Sequence, residues 1–280
     1  MSDKNSPLIL GTEPIGKLLT QYAIPAIIAM TASSLYNMAD SIFIGHGVGA
    51  MGIAGLALTF PLMNLAAAFG SLVGVGASTL VSVKLGQKDY EGANNVLGNV
   101  FMLNLIMGVA FSVMFLLFLD PVLYFFGASE QTISYARDYM RIILYGNVIT
   151  HMYLGLNAIL RSSGYPKMAM YATLLSVVIN CLLNPFFIFV LDWGIKGAAW
   201  ATVFSQLISL TGQFIHFSRP TQLLHFHKGI YKLHKELVDA IISIGMSPFL
   251  MNLCSCLIVL LINWGLKEHG GDMAIGAYGI

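Results

Sequence analysis

The sequence predicts an all-α integral membrane protein, and three observations carry that reading. Of the 280 residues, 57% are apolar and 10% are charged, against roughly a quarter charged in soluble domains. The apolar residues gather into long segments, and a spanning helix needs ~20 of them in a row. Those segments are apolar all round, unlike the alternating strands of about ten residues that build a membrane barrel. This composition excludes a disordered tail or a small disulfide scaffold. A net charge of +1 gives no reason to expect a nucleic-acid partner.

The elements follow in order. The opening residues are polar, carry Pro7, Gly11 and Pro14, and lack the layout of a cleavable signal, so segment 18–45 is expected to stay as a membrane anchor. It holds Pro25 and Asp40. After His46–Gly52 comes 53–83, rich in small residues (Gly55, Gly70, Gly74, Gly76) that let helices approach closely. Its Gly74-Val75-Gly76 follows no strand and reads as packing rather than phosphate binding. Segment 96–119 follows the polar Lys84–Asn95. Segment 133–157 follows Asp120–Thr132 and carries Tyr139, Asn147, His151 and Asn157. Segment 168–191 follows Arg161–Lys167 and carries Asn180, Asn184 and Pro185. Segment 197–217 follows Asp192–Lys196 and carries Thr202 and Gln206. Then comes the longest break, Ser218–Val238, whose Leu223, Leu224, Ile230, Tyr231 and Leu233 among lysines and histidines predict an amphipathic stretch on the bilayer surface. Segment 239–266 contains Pro248. The apolar Met273–Ile280 is expected to open an eighth helix that is then cut off. The domain reading is a membrane lobe over 1–217, a linker over 218–238 and the start of a second lobe over 239–280.

Cys181, Cys254 and Cys256 lie within apolar segments with no disulfide or metal-ligand spacing and read as packing residues. No Ser-His-Asp, paired-carboxylate or metal arrangement suggests an enzyme. No cofactor and no obligate protein partner are expected.

Lys and Arg set the orientation. With the N-terminus inside, the inner regions hold Lys4, Lys17, Lys84, Lys88, Arg161, Lys167, Arg219, Lys228, Lys232 and Lys235, and the outer ones only Arg137, Arg141, Lys196 and Lys267. That asymmetry places the N-terminus and the linker in the cytoplasm, in a cytoplasmic or inner membrane.

Asp40 is the only carboxylate well inside a span. A charge there costs at least ~2.5–3.5 kcal/mol, so it faces a cavity or a partner and does work; the alternative is an interfacial residue on a frayed end. Asn180 and Asn184 share a helix face at i, i+4. With the N-terminus inside, Asp40, Asn184 and Thr202 sit at a similar depth, roughly 8–10 Å below the outer surface. One carboxylate, two amides and a hydroxyl form a hard-oxygen set suited to Na⁺, or to a proton on Asp40. Taken singly, the amides and hydroxyl also read as interhelical glue. Tyr36, Asn37, Tyr139 and Asn157 belong to a group of polar intramembrane residues suited to a cavity for small organic, cationic or amphiphilic compounds. His151 reads first as a hydrogen-bonded core histidine and second as a proton relay. Pro25, Pro185 and Pro248 each remove a backbone donor within a span; they read as kinks or as gating hinges.

Segments one and seven echo each other. Asp40 lies 15 residues beyond Pro25, and Asn263 lies 15 beyond Pro248; Gly49-Ala50-Met51-Gly52 then parallels Gly271-Asp272-Met273-Ala274. This spacing suggests that a six-helix unit restarts at segment seven with the same orientation.

Ile24-Pro25-Ala26-Ile27-Ile28 followed by Leu35-Tyr36-Asn37-Met38-Ala39-Asp40-Ser41-Ile42-Phe43-Ile44-Gly45 resembles the first helix of the multidrug and toxic compound extrusion (MATE) family. Gly86-Gln87-Lys88-Asp89, Leu160-Arg161-Ser162-Ser163-Gly164-Tyr165-Pro166-Lys167-Met168 and Ile244-Gly245-Met246-Ser247-Pro248 resemble further elements of that family. The resemblance implies twelve helices in two six-helix lobes, of which this chain holds the first lobe, helix seven and the start of helix eight. It implies export of drugs driven by Na⁺ or H⁺ entry, with a cation site on Asp40, Asn180, Asn184 and Thr202. It places Tyr139 and Asn157 on the cavity of the first lobe. Asn184 departs from members that carry a second aspartate there. A lipid-linked precursor flippase of the same superfamily is the alternative.

Overall fold

A computed structural model describes residues 13–227 and 229–278; Lys4 and Lys228 of the orientation count lie outside them. The described residues form nine α-helices with one π-helical turn and no strand. They are α1 (Ile15–Gly47), α2 (Ala50–Gly86), α3 (Tyr90–Leu117), α4 (Leu119–Phe125), α5 (Ile133–Tyr145), α6 (Asn147–Ser162), α7 (Pro166–Pro185), the π-turn Phe186–Val190, α8 (Gly194–Phe217) and α9 (Lys235–Tyr278). The chain is therefore an all-α membrane protein, as expected. Five of the helices are long and apolar enough to cross a bilayer, and the α5–α6 pair makes a sixth span bent by 56°.

Two spans differ in detail from the sequence reading. Segment 133–157 is not one straight helix: α5 and α6 meet at Gly146, where a side chain would collide with Val203 of α8. The bend frees the Leu144 carbonyl, which accepts a hydrogen bond from Ser112 Oγ at 2.7 Å, meeting the rule that lipid-embedded backbone groups must be satisfied within the protein. Helix α8 has the length of a span, about 36 Å at 1.5 Å per residue, but is less apolar. Its Thr202, Ser205, Ser209, Gln213 and His216 are all turned inward and buried.

Helix α2 is the central post. It packs against α3, α5, α6 and most extensively against α9. Its small residues allow this. A side chain at Gly76 would overlap the Ile241 carbonyl, and one at Gly245 would overlap the Leu72 carbonyl. Pro61, which the sequence reading passed over, is buried in the same helix, and its carbonyl accepts from the Cys256 thiol at 3.2 Å.

The chain breaks after α1 at Gly49 (φ 91°) and within α9 at Gly271 (φ 64°). Both angles lie where only glycine is unstrained. These are the two glycines that the sequence echo pairs. In the same register Ala54 corresponds to Gly276, and a methyl on Gly276 would touch Ala54 at 3.4 Å. Equivalent positions meeting each other is the mark of a two-fold axis between repeats.

The segment 218–238, expected as an amphipathic stretch on the bilayer surface, is tied to the protein among its described residues. It docks on the end of α3. Asn94 Oδ1 accepts from the His225 N–H (2.9 Å) while its amide donates to the Leu223 carbonyl (3.3 Å). Asn99 Oδ1 accepts from the His234 N–H (3.0 Å) and its amide donates to the Lys232 carbonyl (3.2 Å). Leu224 and Ile230 are buried, and Phe226 and Tyr231 join Phe101 in an aromatic cluster. Of the apolar residues that suggested lipid contact, Leu224 and Ile230 are turned into the protein, whereas Tyr231 and Leu233 stay exposed.

Candidate functional site

The site is built at one end of the bundle by α1, α7 and α8. Asp40 lies two turns before the end of α1, on the strip where that helix also buries Ser41 and Ile44. Asn180 and Asn184 occupy one face of α7 and are fully buried. Thr202 comes from the inward face of α8, where it is held by a bond to the Ala198 carbonyl (3.2 Å).

These four side chains converge. Asn184 Nδ2 donates to Asp40 Oδ1 and to Asn180 Oδ1, the latter at 2.7 Å. Asn180 Nδ2 lies 3.3 Å from Thr202 Oγ1, which in turn meets the Tyr36 hydroxyl at 3.0 Å. With the Asn180 amide turned over, its nitrogen reaches Asp40 Oδ1 at 3.0 Å and its oxygen accepts from the Thr202 N–H at 3.3 Å. Either orientation keeps the four residues in one network. The Tyr36 and Tyr139 hydroxyls also lie within electrostatic reach of the Asp40 carboxylate. Asp40 is 6% exposed and has no basic partner in the network, and the Asn184 Oδ1 is buried with no donor. A buried anion and an unmatched acceptor oxygen are what a cation or a proton would complete.

The structure sorts the other candidates. Tyr36 and Asn37 border a cavity of about 160 Å³ together with Tyr153, Thr173, Ser176 and Gln206. That space holds a few waters and is below the ~300–1,000 Å³ of drug-sized pockets. Tyr139 is packed into the core beside Asp40 rather than lining open space. Asn157 ties α6 to α7, donating to the Ala169 carbonyl (3.0 Å) and to Thr173 Oγ1 (3.5 Å). His151 is buried, and neither ring nitrogen makes a hydrogen bond of good geometry, although the Ala66 carbonyl is nearby. It is thus a core histidine set beside a backbone carbonyl, close to the first reading.

Pro25 sits inside α1 without interrupting it, and Pro248 sits inside α9. Pro185 does alter its helix. It ends α7 one residue after Asn184, and the π-turn follows at once. Ile188 and Phe189 of that turn press against Gly47 at the end of α1. Nothing in the residue pattern marked the π-turn beyond the proline itself.

The described residues thus form a bundle of apolar helices around a buried carboxylate, on which amide and hydroxyl groups from two neighbouring helices converge, the make-up of a multi-span membrane protein with a polar internal site. The MatE family profile matches residues 25–186, more than half of the chain, and the chain belongs to that family. Over 266 residues it is 32% identical to the multidrug export protein MepA of Staphylococcus haemolyticus (strain JCSC1435), covering 95% of this chain and 59% of that protein. MepA of Staphylococcus aureus (strain NCTC 8325 / PS 47) is 28% identical over 267 residues, with the same coverage. Among solved structures, an inward-facing multidrug resistance MATE family transporter of the MOP superfamily superposes with a TM-score of 0.83 at 27% identity, over 91% of this chain and 60% of that one. An outward-facing structure gives 0.83 at 28% identity, over 93% and 58%. The chain thus spans about three-fifths of the length of the relatives it matches.

Proposed function

We propose that this chain is the first lobe and the start of the second in a cation-coupled antiporter that exports organic compounds, cationic or amphiphilic in type. The single observation that carries this reading is the Asp40 network: a buried carboxylate without a basic partner, ringed by Asn180, Asn184 and Thr202, with one acceptor oxygen still unmatched. Na⁺ or a proton entering there would neutralise a charge that is costly to bury. A coupling ion can drive export only if it binds one conformation better than the other. The π-turn next to Asn184 supplies a place where the ligand set and the α1 contact would change together.

The chain superposes with the same TM-score of 0.83 on an inward-facing and on an outward-facing transporter of this family, which supports the antiporter reading without favouring either state. The names of the curated relatives support drug export over the flippase alternative. The ten-to-four asymmetry of Lys and Arg supports a cytoplasmic N-terminus.

The test is Asp40→Asn in the protein carrying both lobes, reconstituted in vesicles with an imposed Na⁺ or pH gradient. Gradient-driven export of tetraphenylphosphonium should fall to background while the monodisperse elution of the protein is unchanged. Asn184→Ala, which removes a neutral amide, its unmatched oxygen together with the N–H bonds to Asp40 and Asn180, should weaken ion affinity and leave partial transport because the charge of Asp40 stays. Export by Asp40→Asn at the unmodified rate would refute the site.

A further inference from the structure

A second pocket lies just beyond the Asp40 network, at the end of the bundle away from the docked linker. It has a volume of about 670 Å³, within the range of small-molecule sites. Its walls come from the first turns of α5, the turn before α8 and the start of α8, and the residues that matter are Tyr135, Asp138, Asp192, Trp193, Lys196 and Trp200. The two tryptophans are braced. Trp193 stacks on Phe187 (centroids 5.3 Å apart, 25° between planes) and Trp200 stacks on Phe204 (5.3 Å, 27°). Of the two carboxylates, Asp138 is paired with Lys196 at 3.2 Å. Asp192 takes part in none of the ion pairs among the described residues. The pocket therefore carries one net negative charge beside three aromatic rings. Asp138 directly precedes Tyr139 on α5, and Trp200 stands two residues before Thr202 on α8, so the pocket and the Asp40 network share these two helices.

We propose that this pocket binds monovalent organic cations with an apolar body as they leave the protein. The inference rests on the export reading above for its direction, since the pocket faces outside only if the N-terminus faces inside. An aromatic girdle at the membrane interface would account for the tryptophans alone. It does not account for two carboxylates opening into the same cavity as three rings, with one carboxylate held in reserve by a lysine. Ring faces attract a desolvated cation, the free Asp192 supplies the charge, and a neutral compound of the same shape gains neither.

Two of the three tryptophans line the pocket, so their emission reports on it. The purified protein, with Trp264→Phe to remove the third, is titrated with tetraphenylphosphonium and with the neutral triphenylphosphine oxide. The cation should quench and the neutral compound should bind at least about five-fold more weakly, the ratio expected for roughly 1 kcal/mol of charge-dependent attraction. Asp192→Asn should weaken the cation by a similar factor. Lys196→Gln, which releases Asp138, should tighten it, a change of opposite sign that misfolding would not mimic. Both effects should persist in an Asp40→Asn background. Equal binding of the two compounds, or affinities unmoved by Asp192→Asn and Lys196→Gln, would overturn the proposal. So would loss of binding on Asp40→Asn, which would place the ligand at the ion network. If instead Asp40→Asn still exports normally while these affinities shift as stated, the coupling reading fails and the pocket stands.

Discussion

Helices α1 and α2 are neighbours in sequence, similar in length and both strongly apolar, yet they have opposite roles. In the apolar stretch of α2, 61% of residues are buried inside the protein; in that of α1, 6% are. Lipid is as apolar as a protein core, so apolarity alone does not say which helix will be inside. What separates the two is side-chain size. α2 carries Gly52, Gly55, Gly70, Gly74 and Gly76 along buried positions, and close backbone approach is a main source of helix association in a bilayer. α1 instead shows large residues such as Ile27, Met30 and Leu35 outward and buries only Pro25 and the cluster Asp40, Ser41 and Ile44. The post of the bundle holds no buried charge, whereas α1 carries Asp40.

The comparison can be broken most forcefully at the point of closest approach. Gly76→Leu would drive a side chain into the backbone of α9. It should cost more than the ~1–3 kcal/mol of ordinary overpacking, read as a large fall in the thermal unfolding midpoint in detergent. Gly16→Leu in α1, where nothing lies within 4 Å, should leave that midpoint alone. Equal losses would show that α2 is not the post. A smaller effect belongs to the end of α2. There Lys84 bonds the Asp89 carboxylate at 2.8 Å, and Asp89 also accepts from the Gly92 N–H to cap α3. These bonds, that from Lys84 first, hold the Asp89 carboxyl below its ordinary value of 3.8. A lowered value in the folded state means stabilisation that is full above the unfolded value and lost as pH falls through the folded one. The unfolding midpoint should therefore drop on acidification below about pH 4, and Asp89→Asn should flatten that part of the curve. The smallest effect is expected from Ile27→Ala on the outer face of α1, within about 0.5 kcal/mol in the same melt.

Much of the candidate site around Asp40 was legible because charge and depth are strict constraints in a membrane. Asp40 stood out as a lone deep carboxylate, and the 1.5 Å rise brought Asn184 and Thr202 to its level before any contact was known. The pattern did not show how small the space beside Tyr36 and Asn37 is, because cavity size depends on how three helices pack. It also did not show that Asn157 is committed to the Ala169 carbonyl. The break at Gly146 was missed because glycine is common in membrane helices and only Val203 across the interface gives it a purpose. The polar face of α8 lowered its apolar signal for the same reason that it matters: those residues face the interior. The docking of the segment after α8 was not legible because an apolar stripe looks alike whether lipid or a neighbouring helix covers it. The deciding residues, Asn94 and Asn99, lie some 130 positions away.

Those two asparagines set a rule for which changes the protein tolerates. They hold the connecting segment by its peptide groups at Leu223, His225, Lys232 and His234 and use none of the side chains there for that purpose. Substitutions of these four side chains leave those bonds intact, whereas loss of either asparagine amide removes two of the four and leaves Leu224, Ile230 and the rings around Phe101 to hold the segment. Related chains are thus free to vary the polar residues of this connection, and its exposed charge can be retuned without disturbing how the second half of the molecule is tethered to the first.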